Sequence, residues 1–528
     1  MNNISLLYPN KGQENRNSLN FSQEMLSSLE LDYILDSKGL DITGYFTNDC
    51  DTIKYRQGVF ADLIGNDRLC SLLNRITPIL GDIVELRRLS SEAQNTDTYL
   101  YSITEIELYI SAVEMLHDEL LPIKDSLTSK AFIELAKRIE ELSESDYYKE
   151  LNARMKELTS RVREIKSVTI GVNLDARLRP ESAGVLSVNN ERFKSGELLQ
   201  KILRLDFKND EYTCIASLTP FKKGQNDNQQ VALENAFNNA LNDVYKGSMR
   251  SWKKVVNEYV LEKADFLIQL SPEIEFCVRA TELIKTLKNT GNNICYPVIC
   301  PTNEGVFVAK GIYNPVVAVK LNQKMVLNDF LFDDNAGFYI LTGPNRGGKS
   351  VITCAVGLVF VLAQLGLPVP AESVEISPAD GIFTHFPTDA EDTIDKGRLG
   401  EECARLDEIF DHVSSNSLVL LDESLSSTGS FEASYIASEV LSAISMIGCR
   451  GIFSTHLHEL STMLDSINET CINKGGKRID TLVAGMEDGE RSFVIVRKKP
   501  DGKSYAKDIA DKYGISLDKI MEKIKKNK

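Results

Sequence analysis

No Cys-x-x-Cys pair occurs among the ten cysteines of this sequence. That excludes a zinc ribbon, and ten cysteines spread over 528 residues exclude a disulfide framework. Cys295 and Cys300 are the closest pair, but four residues separate them and no histidine lies nearby, so they read as packing residues. Positive charge is not in excess either. Sixty Lys and Arg face 76 Asp and Glu, a net charge of −16. This excludes a globally basic nucleic-acid binder but not a local basic groove. No basic segment followed by an apolar core opens the chain, so no secretory leader is read and the cytoplasm is the expected compartment. No internal repeat is found. One stretch, Val351 to Ala371, is uncharged and long enough to suggest a membrane span. It contains Gln364, Gly366, Pro368 and Pro370, which break it near its end, so a buried helix ending near Leu365 is expected and no membrane partner.

What is present is ordinary for a globular chain: 42% hydrophobic and 26% charged residues, enough apolar side chain for sizeable cores in two to four domains. The first 300 residues read as mainly helical. Ile103, Ile106, Ile110, Val113, Leu116 and Leu120 recur at steps of three and four, as do Phe132, Leu135, Ile139 and Leu142. Leu151, Met155, Leu158, Val162 and Ile165 follow a heptad pattern, compatible with a helical bundle or with coiled-coil levers. Val168, Ile170, Val172 and Leu174 alternate like a strand, Arg179 to Gly184 reads as a turn, and Val185 to Val188 as a returning strand. Asn228 to Leu270 has no proline and a helical period; a continuous helix there would span about 65 Å. Helices flanking a small β insertion predict an arm-like region. Beyond Ile294 short β-rich runs appear, including Gly305 to Val308 and Val316 to Val319. Strands then alternate with helices to about residue 500, the pattern of an α/β domain with a largely parallel sheet.

The chemistry concentrates there. Phe338 to Leu341 is a candidate buried strand leading into Thr342-Gly343-Pro344-Asn345-Arg346-Gly347-Gly348-Lys349-Ser350 and then an apolar helix. This is GxxxxGK[ST] between a strand and a helix, the context that separates a phosphate loop from a chance glycine-rich turn. Glycines let backbone N–H groups close round phosphate oxygens. Lys349 is expected on the β- and γ-phosphates of ATP and Ser350 on Mg²⁺. Leu418 to Leu421 reads as a second buried strand, ending in Asp422-Glu423. Asp422 is placed to hold Mg²⁺ and Glu423 to activate the attacking water. Gly451 to Ser454 reads as a third strand, ending in Thr455-His456, and His456 is a candidate to sense the γ-phosphate. His385, His412 and His458 read as surface or packing residues.

Together these residues resemble the MutS family of DNA mismatch-repair ATPases, relatives of the ABC ATPases. The loop from Thr342 to Ser350 is similar to that family's TGPNxGGKS. Leu367-Pro368-Val369-Pro370-Ala371 with Val374-Glu375-Ile376, Ile382-Phe383-Thr384, Ser417 to Glu423, and Ser454 to Leu460 resemble its other ATPase segments. Ser504 to Ala510 with Gly514-Ile515 resembles its closing helix-turn-helix, and Tyr55 to Leu63 resembles, more faintly, the start of its helical core. The resemblance implies an N-terminal segment (1–40), a helical core or lever domain (41–300), an ABC-like P-loop ATPase domain (301–500) and a helix-turn-helix (501–528). It implies a homodimer with composite ATP sites, whose helical arms embrace DNA.

Some departures bear on function. Gly397-Arg398 are followed by Leu399-Gly400-Glu401-Glu402, without the hydroxyl residues of the family's signature. Ser424 to Ser430 replaces its glycine-rich turn. About 40 residues precede the core match, too few for the family's mismatch-reading and connector domains, so the arms are expected to feel backbone charge and shape rather than a single mispair. The family's Phe-x-Glu reading motif has one echo, Phe132-Ile133-Glu134, which reads as helix core. Arg177, Arg179, Arg192 and Lys194 flank the β insertion and are candidates for DNA phosphates or for a solvated surface. Trp252, beside Lys253 and Lys254, reads as packing. The alternative to a DNA-binding clamp is an ATP-driven scaffold or switch acting on a protein. An ABC transporter subunit is disfavoured because it has no place for the long N-terminal helices.

Overall fold

The structure is a computed structural model that describes residues 4–9, 19–21, 24–31, 33, 43–92, 97–163, 167–174, 176, 180–189, 259, 266–333, 336–344, 346–387, 397–487, 490–500, 514–515 and 517–526. In chain order its strands are β1 (Asn20–Phe21), β2 (Ser167–Leu174), β3 (Pro180–Asn189), β4 (Val298–Ile299), β5 (Phe307–Ile312), β6 (Asn328–Phe332), β7 (Phe338–Thr342), β8 (Ser373–Ile376), β9 (Gly381–His385), β10 (Leu418–Asp422), β11 (Arg450–Ser454), β12 (Ile479–Glu487) and β13 (Glu490–Arg497). The chain divides into two units. One comprises Met1–Leu73, Ser126–Glu134 and Pro272–Lys528; the other comprises Asn74–Asp125 and Leu135–Ser271.

The second unit is built from helices and one hairpin. The helix Asp97–Leu120 buries Ile106, Ile110, Val113, Leu116 and Leu120, the face its three-four spacing predicts. Leu135, Ile139 and Leu142 are buried in the same way. Glu105 is buried and paired with Arg87 at 2.6 Å, while the Tyr259 hydroxyl donates to it at 3.4 Å. β2 and β3 pair antiparallel from Ser167↔Asn189 to Leu174↔Pro180. Of the run Arg179 to Gly184, expected as the turn, Pro180 to Gly184 is strand. Proline is tolerated as a strand's first residue, where no ladder N–H is needed. The candidates Arg177, Arg179, Arg192, Lys194, Trp252, Lys253 and Lys254 lie outside the described residues, as does nearly all of the expected helix from Asn228 to Leu270.

The first unit carries a seven-stranded sheet ordered β1-β9-β10-β11-β7-β12-β13, parallel except for β13, and a four-stranded sheet ordered β4-β8-β5-β6. Every residue of β7, β9, β10 and β11 is buried, as their continuous apolar runs require of strands covered on both faces. Val419 and Leu421 join a core cluster with Leu406 and Ile409 of the helix Gly397–His412, Leu441 and Ile444 of the helix Ser430–Ile447, and Leu460 of the helix His458–Ile472. Leu420, between them, faces Gly357 of the helix Lys349–Gln364. That helix buries thirteen residues and ends at Gln364, which accounts for the uncharged stretch in the sequence. Among the described residues no helix is long and apolar enough to cross a membrane. Phe132 is fully buried and belongs to this unit's core.

Val316 to Val319, expected as a strand, lies instead in the helix Pro315–Leu321. Asn314 overrides the β-branched run: its side chain accepts from the N–H groups of Val316 and Val317, and Pro315 supplies a first-turn φ already suited to helix. Of the run Gly305 to Val308, only Phe307 and Val308 are strand. Cys295 forms a β-bridge with Val369, and Cys295 and Cys300 are both free thiols.

Candidate functional site

Four parallel strands deliver the site residues to one rim. β7 ends at Thr342 and the glycine loop follows; β10 ends at Asp422, β11 at Ser454, and β9 at His385. In parallel sheets the carboxyl ends of strands form the ligand-binding rim. The loop is held by its own geometry. Gly343 has φ +144° and Gly348 φ +90°, both favoured by glycine. A Cβ on Gly343 would stand 2.7 Å from Cβ of Ala484 on β12, and one on Gly347 would stand 2.8 Å from the Pro344 carbonyl oxygen. The Gly347 N–H donates to that carbonyl at 3.1 Å. Asn345 lies outside the described residues; Arg346 is exposed with φ +59°.

Lys349 opens the helix and is only 4% exposed. Its Nζ donates to the carbonyls of Gly343 at 3.3 Å and Pro344 at 3.4 Å. Burial lowers its pKa, and the nearby Glu423 and Asp422 carboxylates oppose that fall. His456 Nε2 lies 2.7 Å from Glu423 Oε1 and 3.3 Å from Lys349 Nζ. One nitrogen cannot both donate to the carboxylate and accept from the ammonium. The shorter, charge-assisted contact has Nε2–H donating to Glu423.

Asp422 is buried, and burial raises its pKa against the lowering effect of the Ser350 and Ser454 hydroxyls. Its Oδ1 has no hydrogen-bond partner. A buried carboxylate oxygen left free beside two hydroxyls suits a hard divalent cation, which takes oxygen ligands. Glu423 follows with φ +47°, and Leu425 has φ +65°. Both are non-glycine residues in the left-handed region, a strained arrangement that surrounding structure must enforce. The Glu423 N–H donates to the Ser454 carbonyl at 2.8 Å, tying the turn to β11.

The sequence did not point to the walls of the site. A cavity of about 450 Å³ opens against the loop, lined by Tyr313, Val317, Met325, Val326, Ile352 and Phe493 and reaching Gly348, Lys349, Ser350 and Glu423. Its size suits a small ligand. Phe493 comes from β13 and has φ +57°, yet no motif surrounds it in the sequence. Ala484, whose small side chain lets the loop approach β12, is equally silent in the sequence. His412 ends the helix Gly397–His412 and is exposed. His458 begins the helix His458–Ile472.

His385 is 1% exposed, and burial, reinforced by Arg405, lowers its pKa from the ordinary 6.5 to about 4. The unfolded chain therefore binds a proton that the folded chain refuses. Stability from this group is fully present above about pH 6.5 and is lost as pH falls through about 4, up to about 3 kcal/mol. Thermal unfolding compared at about pH 7 and about pH 5 should show a smaller acid-side loss in His385→Asn than in the parent. An equal loss would discount this group.

These features define the class: an α/β domain with a glycine loop, a buried lysine and paired carboxylates at the rim of a parallel sheet. The family follows from two matches. Residues 339–522 match the model of MutS domain V, and residues 48–290 match the model of the MutS2 N-terminal domain. The chain belongs to the MutS family. It is similar to the DNA mismatch repair protein MutS of Prochlorococcus marinus (strain MIT 9312), 33% identical over 247 residues that make up 46% of this chain and 26% of that protein. The DNA mismatch repair protein MutS of Thermosipho melanesiensis is 32% identical over 225 residues, 42% of this chain and 26% of that protein. That of Lactobacillus delbrueckii subsp. bulgaricus (strain ATCC BAA-365 / Lb-18) is 31% identical over 176 residues, 33% and 20%. The matched part thus spans about a quarter of the curated relatives' length.

Proposed function

We propose that the protein is a Mg²⁺-dependent ATPase of ABC-like P-loop architecture that works as a homodimer with composite ATP sites and grips duplex or branched DNA as a clamp. The observation that carries the ATPase reading is the convergence of Lys349, Ser350, Asp422, Glu423 and His456 beside one glycine loop. Residues 301–500 would form the ATPase domain, 41–300 the helical lever and 501–528 the closing helix-turn-helix.

Each residue then has a role. The loop from Gly343 to Gly348, Asn345 included, receives phosphate oxygens on backbone N–H groups, and Lys349 neutralises the β- and γ-phosphates. Ser350 and Asp422 would hold Mg²⁺, which supplies charge neutralisation across the phosphates when bound. Glu423 orients and deprotonates the attacking water. His456, hydrogen-bonded to Glu423, holds that carboxylate and lies within reach of a γ-phosphate beside Lys349. The apolar walls around Met325, Val326 and Phe493 suit a purine base.

Asp422→Asn tests the metal assignment. Replacing a buried carboxylate with its neutral isostere should leave the ligand-free protein at least as stable. The additional rise in Tm that Mg²⁺ gives over ATP alone should disappear. A variant retaining that rise would remove Asp422 from the metal site. The DNA reading is tested by ATP turnover and binding with duplex and four-way junction DNA across salt concentrations. Binding should weaken steeply with salt, because backbone phosphates supply the contacts. Absence of DNA binding at low salt would promote the protein-switch alternative, which the net charge of −16 leaves open.

A further inference from the structure

His385 has no part in the roles above, yet its side chain joins three pieces of the rim. It ends β9 and lies opposite Leu421 of β10, one residue before Asp422. Its Nδ1 lies 2.7 Å from the Ser424 hydroxyl, and its Nε2 lies 3.2 Å from the carbonyl of Glu402 on the helix Gly397–His412. A carbonyl can only accept, so Nε2 carries the proton. In the neutral ring that buried surroundings favour, Nδ1 is then the acceptor, and Ser424 Oγ–H donates to it. The Ser424 hydroxyl also lies 3.1 Å from the His385 carbonyl oxygen, so its one proton is shared between that carbonyl and the nearer ring nitrogen, and the contacts run from Ser424 through the imidazole to the Glu402 carbonyl.

Ser424 occupies a demanding place. It is buried between Glu423 and Leu425, the two left-handed non-glycine residues of the turn. Such a turn persists only where side chains over-determine it. Here the family's glycine-rich turn is replaced by serines, and glycine's conformational freedom is not available to relieve the strain. Glu402 holds the same loop a second time, accepting from the Ser427 hydroxyl at 3.0 Å. Arg405, one helical turn on, donates to the Phe386 carbonyl at 2.9 Å. The turn carrying Glu423 is thus laced to the helix that begins with Gly397-Arg398.

The geometry points to His385 as a positioning residue for Glu423, acting through Ser424 and fastening the orientation of the carboxylate to the helix Gly397–His412. The assignment rests on the ATPase reading. It concerns the aim of the general base and leaves nucleotide affinity to the loop, since His385 does not line the cavity.

Ser424→Ala removes the hydroxyl with almost no change in volume, and His385→Asn keeps a hydrogen-bond acceptor toward Ser424 while giving up the ring. Purified full-length variants are compared for kcat, KM and binding of a fluorescent ATP analogue. Ser424→Ala should lower kcat about tenfold or more, the scale of a small misplacement of a catalytic group, with KM and analogue affinity within about twofold. His385→Ala should do the same, and His385→Asn should recover part of the loss. In a Glu423→Gln background, Ser424→Ala should have no further effect, because the group it aims is already disabled. Parent-like kcat in Ser424→Ala, with Glu423→Gln inactive, overturns the positioning role alone. A parent whose ATP turnover is absent, or unaffected by Glu423→Gln, overturns the ATPase reading and this assignment together. A fall in kcat that persists undiminished in the Glu423→Gln background also overturns it, since the effect then bypasses Glu423.

Discussion

Lys349→Ala is expected to lower ATP affinity about a hundredfold or more, measured by calorimetric titration with and without Mg²⁺. The reason lies in where the ammonium stands. It is buried at the start of the helix Lys349–Gln364, bonded to the Gly343 and Pro344 carbonyls and within reach of the rim carboxylates. There its attraction for a phosphate is screened far less than on an open surface. Unfolding cannot account for the loss. Burial lowers the pKa of Lys349, so the charged form is a cost to the folded state at neutral pH, and alanine removes that cost. The ligand-free variant should therefore melt no earlier than the parent while failing to bind. Parent-like affinity in a folded variant would take the phosphate site away from this loop.

Lys349 was legible in the sequence because a local rule defines it: the lysine of a GxxxxGK[ST] run between an apolar strand and an apolar helix. Asp422 and Glu423 were legible for a related reason, standing where an uninterrupted buried strand stops. Features that depend on distant segments were not. β1 is two residues long and carries no strand signal, yet Asn20 and Phe21 pair with Gly381 and Ile382 to extend the sheet. Phe493 and Ala484 shape the cavity and the loop from an antiparallel pair far along the chain, and nothing local marks either. His385 read as surface or packing because a lone histidine after a strand has no motif. Its bonds to Ser424 and Glu402 exist only once β9, β10 and the helix Gly397–His412 are assembled. At Val316 to Val319 the local signal misled, since four β-branched or small residues read as strand until the Asn314-Pro315 start is given its weight as a helix cap.

Glu423→Gln should separate binding from turnover. Glutamine keeps the length and shape of the side chain and can still accept from His456 Nε2–H, so the 2.7 Å contact and the turn at φ +47° have no reason to change. What disappears is the base. A carboxylate can take a proton from the attacking water as the bond to phosphorus forms, whereas a carboxamide cannot, and such a loss is worth about a hundredfold or more in rate. ATP affinity should remain within about threefold of the parent, because Lys349, the loop N–H groups and the Asp422–Ser350 pair are untouched. With binding intact and turnover stalled, ATP should hold the protein in its nucleotide-bound association state, seen as a shift to dimer in size-exclusion chromatography with Mg²⁺ and ATP. Phosphate release at the parent rate would remove Glu423 as the base. A loss of ATP affinity equal to that of Lys349→Ala would instead make Glu423 part of the binding surface and leave the identity of the base open to His456.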